Sequence, residues 1–325
     1  MVPNPRLSKV YEGIELCRKE NVDFLLAIGG GSVIDSAKAI AYGLAEDEDV
    51  WELFEHTRMA KACLPVGTIL TIAATGSEMS MSSVITNDEP DQKRHYDDNL
   101  ARPKFAVMDP ELTMTLPDYQ TACGCTDILM HTEERYFTND GNMEITDQID
   151  ESLMRVVMKN ARILHRNPKN YDARAEVMWA GSLSHNGLTG WGNNGGDFVT
   201  YMMEHELGGM FDVAHGAGLA ALRPSWARYV YKSCLPRFKR FAIYVTGVEE
   251  DGTDEEIALA GIEAMESFYR SIGMPTNFKE LGIHPTEEQI QKLADDCIKA
   301  TGGGQGSAKF FRKEDMVAVY RAANA

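Results

Sequence analysis

The sequence predicts an α/β protein, with a largely parallel sheet in the first third of the chain and an almost wholly helical remainder. Three observations predict it. The stretch "VDFLLAIGGGSVIDSAKAIAYGLA" (22–45) reads as strand, glycine turn and helix in immediate succession. Short apolar runs of strand length recur over the next sixty residues. From about residue 115 the apolar positions change to helical spacing, and strand candidates become few.

The elements follow in order. "PRLSKVYEGIELCRKE" (5–20) has apolar residues at helical spacing with charges between them, which predicts an amphipathic helix. Phe24 to Ile28 is a buried-strand pattern; Gly29, Gly30 and Gly31 break it, and Ser32 or Asp35 opens an Ala-rich helix. Further strands are predicted at Leu64 to Leu70, around Ser83 to Thr86, and at Phe105 to Met108, the last closed by the turn "DPE". A boundary between Asp109 and Pro117 divides the chain into an α/β domain, 1–112, and a helical domain, 113–325. "TGGGQGSAKF" (301–310) is a loop, and there is no internal repeat.

Composition narrows the function classes. With 325 residues and 44% hydrophobic content the chain can bury a substantial core. Its 49 acidic and 32 basic side chains give a formal charge of -17, which repels nucleic acid and anionic membrane surfaces, so small-molecule partners are expected. The six cysteines are scattered, and neither a signal peptide nor an apolar run of transmembrane length is present, which predicts a reducing cytoplasm. Cys123 and Cys125 flank one glycine, but no second Cys pair or His cluster of zinc-site spacing accompanies them; helix packing is the expected role.

Two loops can carry nucleotide chemistry. Gly29 to Gly31, between a strand and a helix, let backbone N–H groups approach an anion at the positive end of a helix dipole. The spacing is not GxGxxG, and a glycine turn there is also plain architecture. "LPVGTILTIAATGSEMS" ends an apolar run in Thr75, Gly76, Ser77 and Glu78, small polar groups suited to a ribose or diphosphate. Both loops follow predicted parallel strands and so would share the carboxyl edge of the sheet, where α/β proteins bind nucleotides.

Metal chemistry is the other candidate. "DILMHTEERYF" sets Asp127 and His131 four residues apart, on one helix face. "VTYMMEHELGGMFDVAHGAG" (199–218) repeats that spacing with Tyr201 and His205, and His215 follows a turn. A carboxylate with two or three imidazoles suits Fe(II) or Zn(II) with a position open to a substrate oxygen. Of the other histidines, His56, His95, His165 and His284 sit in polar or linker contexts, and His185 reads as a satisfied helix histidine. Phe198, Trp191, Met202 and Met203 could line an apolar pocket or simply be core.

Taken together, "AIGGGSVIDSAKAIA", "LPVGTILTIAATGSE", "RPKFAVMDPELTMTLP", "GCTDILMHTEERYF" and "EHELGGMFDVAHGAGLA" resemble, in order and spacing, the iron-containing (group III) alcohol dehydrogenases, in their NAD(P)-dependent butanol dehydrogenase branch. The resemblance implies a partial Rossmann-like domain followed by an all-helical one, a dehydroquinate synthase-like architecture with the active site between them. It implies a metal-dependent alcohol dehydrogenase and aldehyde reductase for short primary alcohols or aldehydes, using Fe(II) or Zn(II) with NADP or NAD, as a homodimer. Family cofactor contacts fall on Gly30, Gly31 and Ser32 for the diphosphate, on Thr71 and Thr75 nearer the nicotinamide, and on Lys93. Family metal ligands fall on Asp127, His131 and His215, and His205 matches the histidine credited with relaying the alcohol proton.

Two departures set further expectations. The fourth family ligand is a histidine where this chain has Tyr201, and a neutral phenol is a poor ligand, so weakened metal binding is expected. Family members also carry another βαβ segment before "PNPRLSKV", with the side chains that grip the adenosine ribose. Its lack would impair the enzyme and favour oligomerisation; the alternative is a non-catalytic, oligomerising remnant of the family.

Overall fold

A computed structural model describes residues 4–88 and 92–325. The amphipathic segment forms α1 (Leu7–Lys19), which buries Leu7, Val10 and Ile14 on one side. β1 (Leu25–Gly29) runs into α2 (Gly31–Ala45), so the helix begins at the third glycine, just before the expected Ser32 or Asp35. The short α3 (Trp51–Phe54) then leads to β2 (Val66–Leu70). Next come β3 (Ser82–Asn87), β4 (Gln92–Asp97) and β5 (Phe105–Val107).

β1, β2 and β5 make a parallel sheet in the order β1-β2-β5, with Leu25 opposite Val66 and Gly67 opposite Phe105. β3 does not join it. It pairs antiparallel with β4 in a separate hairpin, in which Ser82 faces Asp97 and Asn87 faces Gln92. The sequence reading had no strand at "QKRHYD": apart from Tyr96, which enters the core, its side chains are charged and polar, and its cations find partners on a helix.

The two faces of the sheet differ. Ala27, Val66 and Leu70 pack under α2 against Ile34, Ala37 and Ala41. Leu26, Ile28, Phe105 and Val107 are exposed on the opposite face, with Phe24 stacked on Phe105 at 6.0 Å.

The rest is helical: α4 (Asp118–Tyr136), α5 (Glu144–Arg166), α6 (Tyr171–His185), α7 (Val199–Phe211), α8 (His215–Val230), α9 (Leu235–Phe241), α10 (Asp254–Ser271), α11 (Phe278–Leu281), α12 (Glu287–Ala300) and α13 (Lys313–Ala323). Among the described residues beyond β5, strand pairing is limited to the bridge between Gln305 and Phe311. Local sequence sets several starts: Thr253 with Glu256, and Thr286 with Gln289, form reciprocal capping boxes on α10 and α12. α4 is the axis of this part, buried from Thr121 to Glu134 among α5, α6 and α8.

Glycines allow the closest approaches. A Cβ on Gly124 would lie 2.2 Å from the Ala73 carbonyl oxygen, and one on Gly216 would lie 2.2 Å from that of Cys123. Thus "CGC" is a contact surface of α4: its bare Cα meets the loop after β2, while Cys123 and Cys125 are buried thiols, as the packing reading expects.

Candidate active site

Three helices bring the histidines together. α4 presents Asp127 and His131 one turn apart, α7 presents Tyr201, Glu204 and His205, and His215 is the first residue of α8. The entry to α7 is forced, since Phe198 takes a left-handed conformation at φ 52°, which is costly for a bulky residue. Its ring packs near Tyr201 and under the Arg135 guanidinium, whose carbon lies 5.0 Å from the ring centre.

Asp127 Oδ1 is the meeting point. His131 Nδ1 lies 3.7 Å from it and His215 Nε2 3.6 Å. The Tyr201 hydroxyl donates to the same oxygen, and its ring stacks on His131 at 4.9 Å. On the other side of His215, Nδ1 contacts Glu204 Oε2, and Lys93 Nζ lies 3.6 Å from that oxygen. Glu204, His205 and His215 can each offer a ligand atom such that all three lie within 4.8 Å of one another.

Burial sets the protonation states. It is the largest influence on His131, His205 and His185, and it holds all three well below the usual imidazole range; nearby Arg135 adds to it for His131, and Lys93 for His205. These rings are therefore neutral, the form in which imidazole binds metals. Burial raises the Asp127 carboxyl, opposed by His215 and by the Tyr201 hydrogen bond. Burial and then Asp127 raise the Tyr201 phenol well above its ordinary value, so it stays protonated. His131 Nδ1, His205 Nδ1 and Glu204 Oε1 are buried without a hydrogen-bond partner. Unpaired buried donors and acceptors are costly, and a cation among them would satisfy them, so the donor set fits a divalent ion.

The loops expected to hold the nucleotide lie together at the carboxyl ends of β1 and β2. The Thr71 amide donates to the Gly29 carbonyl at 3.1 Å, and a Cβ on Gly31 would meet the Thr75 side chain at 2.5 Å. Gly30, Gly31 and Ser32 form the turn and first residues of α2, an N-terminus suited to a diphosphate. The second loop is pinned from below. Asp35 accepts from Ser77 Oγ and the Val84 amide, while buried Lys38 donates to Ser77 and to the Ser80 and Ser82 carbonyls.

That loop also touches the histidine cluster. Gly76 is at φ +62°, with the Gly181 carbonyl and His185 directly beside it, and the His185 ring centre is 4.0 Å from that of His131. His185 thus stands half-buried between the two half-sites, near the Arg135 guanidinium at 3.4 Å. Of the expected pocket residues, Phe198 joins Met130, Tyr201 and Leu219 in a small apolar cluster, Met202 and Met203 belong to the main core, and Trp191 is largely exposed. Glu204 and His185 were missed as site residues. For Glu204 a signal existed, because it stands three residues after Tyr201 and so shares its helix face.

Comparison with known proteins adds the following. The model described as iron-containing alcohol dehydrogenase matches residues 1–110, and the C-terminal model of the Fe-containing alcohol dehydrogenase family matches 121–324. The chain is 40% identical to a probable NADH-dependent butanol dehydrogenase of Bacillus subtilis, over 98% of this chain and 82% of that protein. It is 34% identical to an NADPH-dependent aldehyde reductase of Escherichia coli, over 86% of this chain and 73% of that one. The crystal structure of an NADH-dependent butanol dehydrogenase from Thermotoga maritima superposes with a TM-score of 0.95 at 37% identity, covering 100% of this chain and 82% of that one.

Proposed function

The chain belongs to the iron-containing alcohol dehydrogenase family, and from that premise we propose that it interconverts short primary alcohols and aldehydes with NAD or NADP and a divalent metal. The observation that carries this reading is the convergence of Asp127, His131 and His215 beside two loops from the carboxyl edge of a parallel sheet. The relatives include both NADH- and NADPH-dependent enzymes, and none of the comparisons favours a non-catalytic remnant.

In this reading Asp127, His131 and His215 hold Fe(II) or Zn(II), with Tyr201 beside them. When bound, the ion would supply polarisation of a substrate oxygen and the nicotinamide would supply hydride transfer. The chain supplies the rest. Gly30, Gly31 and Ser32 receive the diphosphate at the start of α2, and Thr71 and Thr75 orient the nicotinamide end. Lys93 reaches the site from the hairpin. His205, neutral and with an unpartnered Nδ1, takes the proton from the alcohol hydroxyl in oxidation and returns it in reduction. Phe198, Met130 and Leu219 around Tyr201 keep water from the metal side. The free, largely buried cysteines support a cytoplasmic enzyme, and the open apolar face of the sheet supports a homo-oligomer.

The experiment is butanal reduction by purified protein supplied with Fe(II) or Zn(II), followed by loss of NADH or NADPH absorbance. Turnover with either nucleotide that a chelator abolishes is the expected result. No turnover under any of these conditions, in folded protein, would overturn the proposal.

A further inference from the structure

The imidazole of His215 stands between two carboxylates, Asp127 on its Nε2 side and Glu204 on its Nδ1 side. A neutral ring has one N–H and one lone pair, so these carboxylates cannot play the same part. We propose that Glu204 is a positioning residue: it takes the Nδ1–H hydrogen bond, fixes the tautomer of His215, and leaves the Nε2 lone pair directed at Asp127 and the metal position.

Three features of Glu204 carry this. It is fully buried, yet it lies on the helix face that meets α8 rather than in an apolar stripe. Its carboxylate has a slot cut for it, since a Cβ on Gly218 would come within 2.8 Å of Oε1 and one on Gly208 within 3.0 Å. Finally, Lys93 Nζ lies 3.6 Å from Oε2, the same oxygen that receives His215. A carboxylate facing an ammonium can only accept, and Glu204 is in hydrogen-bond contact with Nδ1 whereas Asp127 Oδ1 stands 3.6 Å from Nε2, beyond hydrogen-bond distance, so Nδ1 is the nitrogen that donates.

Glu204, His205 and His215 could instead be read as a cation site of their own, since their ligand atoms cluster. The Lys93 ammonium argues against it. A divalent ion on Glu204 would sit beside a buried positive charge that already occupies the carboxylate, whereas no cationic side chain pairs with Asp127 within ion-pair distance among the described residues except the histidines themselves. The arrangement is the carboxylate–histidine–metal series, in which the outer carboxylate sets ring orientation and basicity. It extends one step further, to Lys93 on the hairpin, so the hairpin that closes over α7 is coupled to the geometry of a ligand.

This inference rests on the metal reading of Asp127, His131 and His215, and its test is chosen to stand apart from turnover. Long-range proton–nitrogen correlation spectra of nitrogen-15-labelled, metal-free protein report the tautomer of each histidine. The wild type is expected to show His215 protonated at Nδ1 and bare at Nε2, and Glu204→Ala to shift it to the Nε2–H form. Glu204→Gln keeps the shape of the side chain; in both variants Co(II) affinity, read from its visible spectrum, is expected to fall about 10-fold to 100-fold. Should Glu204→Ala not fold, the wild-type spectrum and Glu204→Gln decide. Wild-type His215 carrying its proton on Nε2 overturns the proposal, as does unchanged Co(II) affinity in a folded variant. A wild type with the expected tautomer that neither binds Co(II) nor reduces an aldehyde overturns the metal reading instead.

Discussion

Tyr201 shows how one residue changes the chemistry around it. Its hydroxyl occupies Asp127 Oδ1, the atom on which His131 and His215 also converge, and its ring covers His131. Burial keeps the phenol protonated, so it offers the metal position a donor hydrogen rather than a lone-pair anion. Tyr201→His is therefore expected to raise metal content and Co(II) affinity at least ~10-fold, the size of effect that ligand-shell changes typically have. Metal analysis of both proteins checks it; equal, full occupancy in the two would show that Tyr201 does not weaken the site. A second residue carries a pH prediction. Burial, and then neighbouring Asp147, push the Asp150 carboxyl from 3.8 up to about 9, and its Oδ1 has no partner. The folded protein then binds this proton more tightly than the unfolded chain, so stability declines as pH rises between those two values. Asp150→Asn is expected to flatten that decline and to stabilise the protein at mildly alkaline pH by about 1–3 kcal/mol. Thermal unfolding across pH tests it, and an unchanged slope would refute it. At this scale the histidines were legible because ligand chemistry restricts which residue types serve. Glu204 was passed over, because a glutamate inside a helix ordinarily means a solvated face; its place on the Tyr201 face was the one hint, and packing against Gly208 and Gly218 shows it buried.

Elements were legible where burial dictates composition. β2 announces itself as an apolar run because α2 covers its side of the sheet, and β1 and β5 are apolar runs as well, although Leu26, Ile28, Phe105 and Val107 stand exposed on the uncovered face. β4 escaped because its code is electrostatic: Lys93 and Arg94 pair with Glu204 and Glu206 of α7, contacts that no periodicity within residues 92–97 can announce. The glycines show a related limit. Gly30 and Gly124 look equally like flexible points, but their surroundings differ. A Cβ on Gly30 would strike the Ile72 Cγ2 methyl, at 2.0 Å, which yields only if the stiff χ1 of that β-branched side chain or its backbone shifts, whereas one on Gly124 would strike the Ala73 backbone oxygen, which yields only if the loop itself moves. Gly124→Ala should therefore be the worse substitution, moving α4 off the loop that carries Thr75 and costing about 1–3 kcal/mol by overpacking. NAD(P)H affinity should fall in both variants, in Gly30→Ala at the diphosphate turn itself and in Gly124→Ala through the loop that carries Thr75, so the ranking is one of stability. Denaturant unfolding of the two variants tests the ranking and NAD(P)H titrations test the affinities; the reverse order of stability would sink it.

For the whole molecule, the sheet poses the sharpest question. One side is closed by α2, while Leu26, Ile28, Phe105 and Val107 remain 45–59% exposed on the other, neighbours across the three strands. Parallel sheets are normally covered on both faces, and contiguous apolar surface of this kind marks an association site. Burying half of one such side chain contributes roughly 1 kcal/mol, so four of them on each of two copies are enough to offset part of the entropy lost on association. The formal charge of -17 on each copy opposes close approach, but that repulsion is screened beyond about 8 Å at physiological ionic strength. An apolar contact between like-charged copies should therefore strengthen as salt is added, whereas an interface held by ion pairs would weaken. Sedimentation of the purified chain is expected to show concentration-dependent self-association that rises with salt, and Ile28→Lys with Val107→Lys is expected to return it to monomer without lowering the unfolding temperature, since neither side chain packs in the core. A chain that stays monomeric in high salt, or a double variant that associates as before, would place the oligomer contact elsewhere and leave the open face without that role.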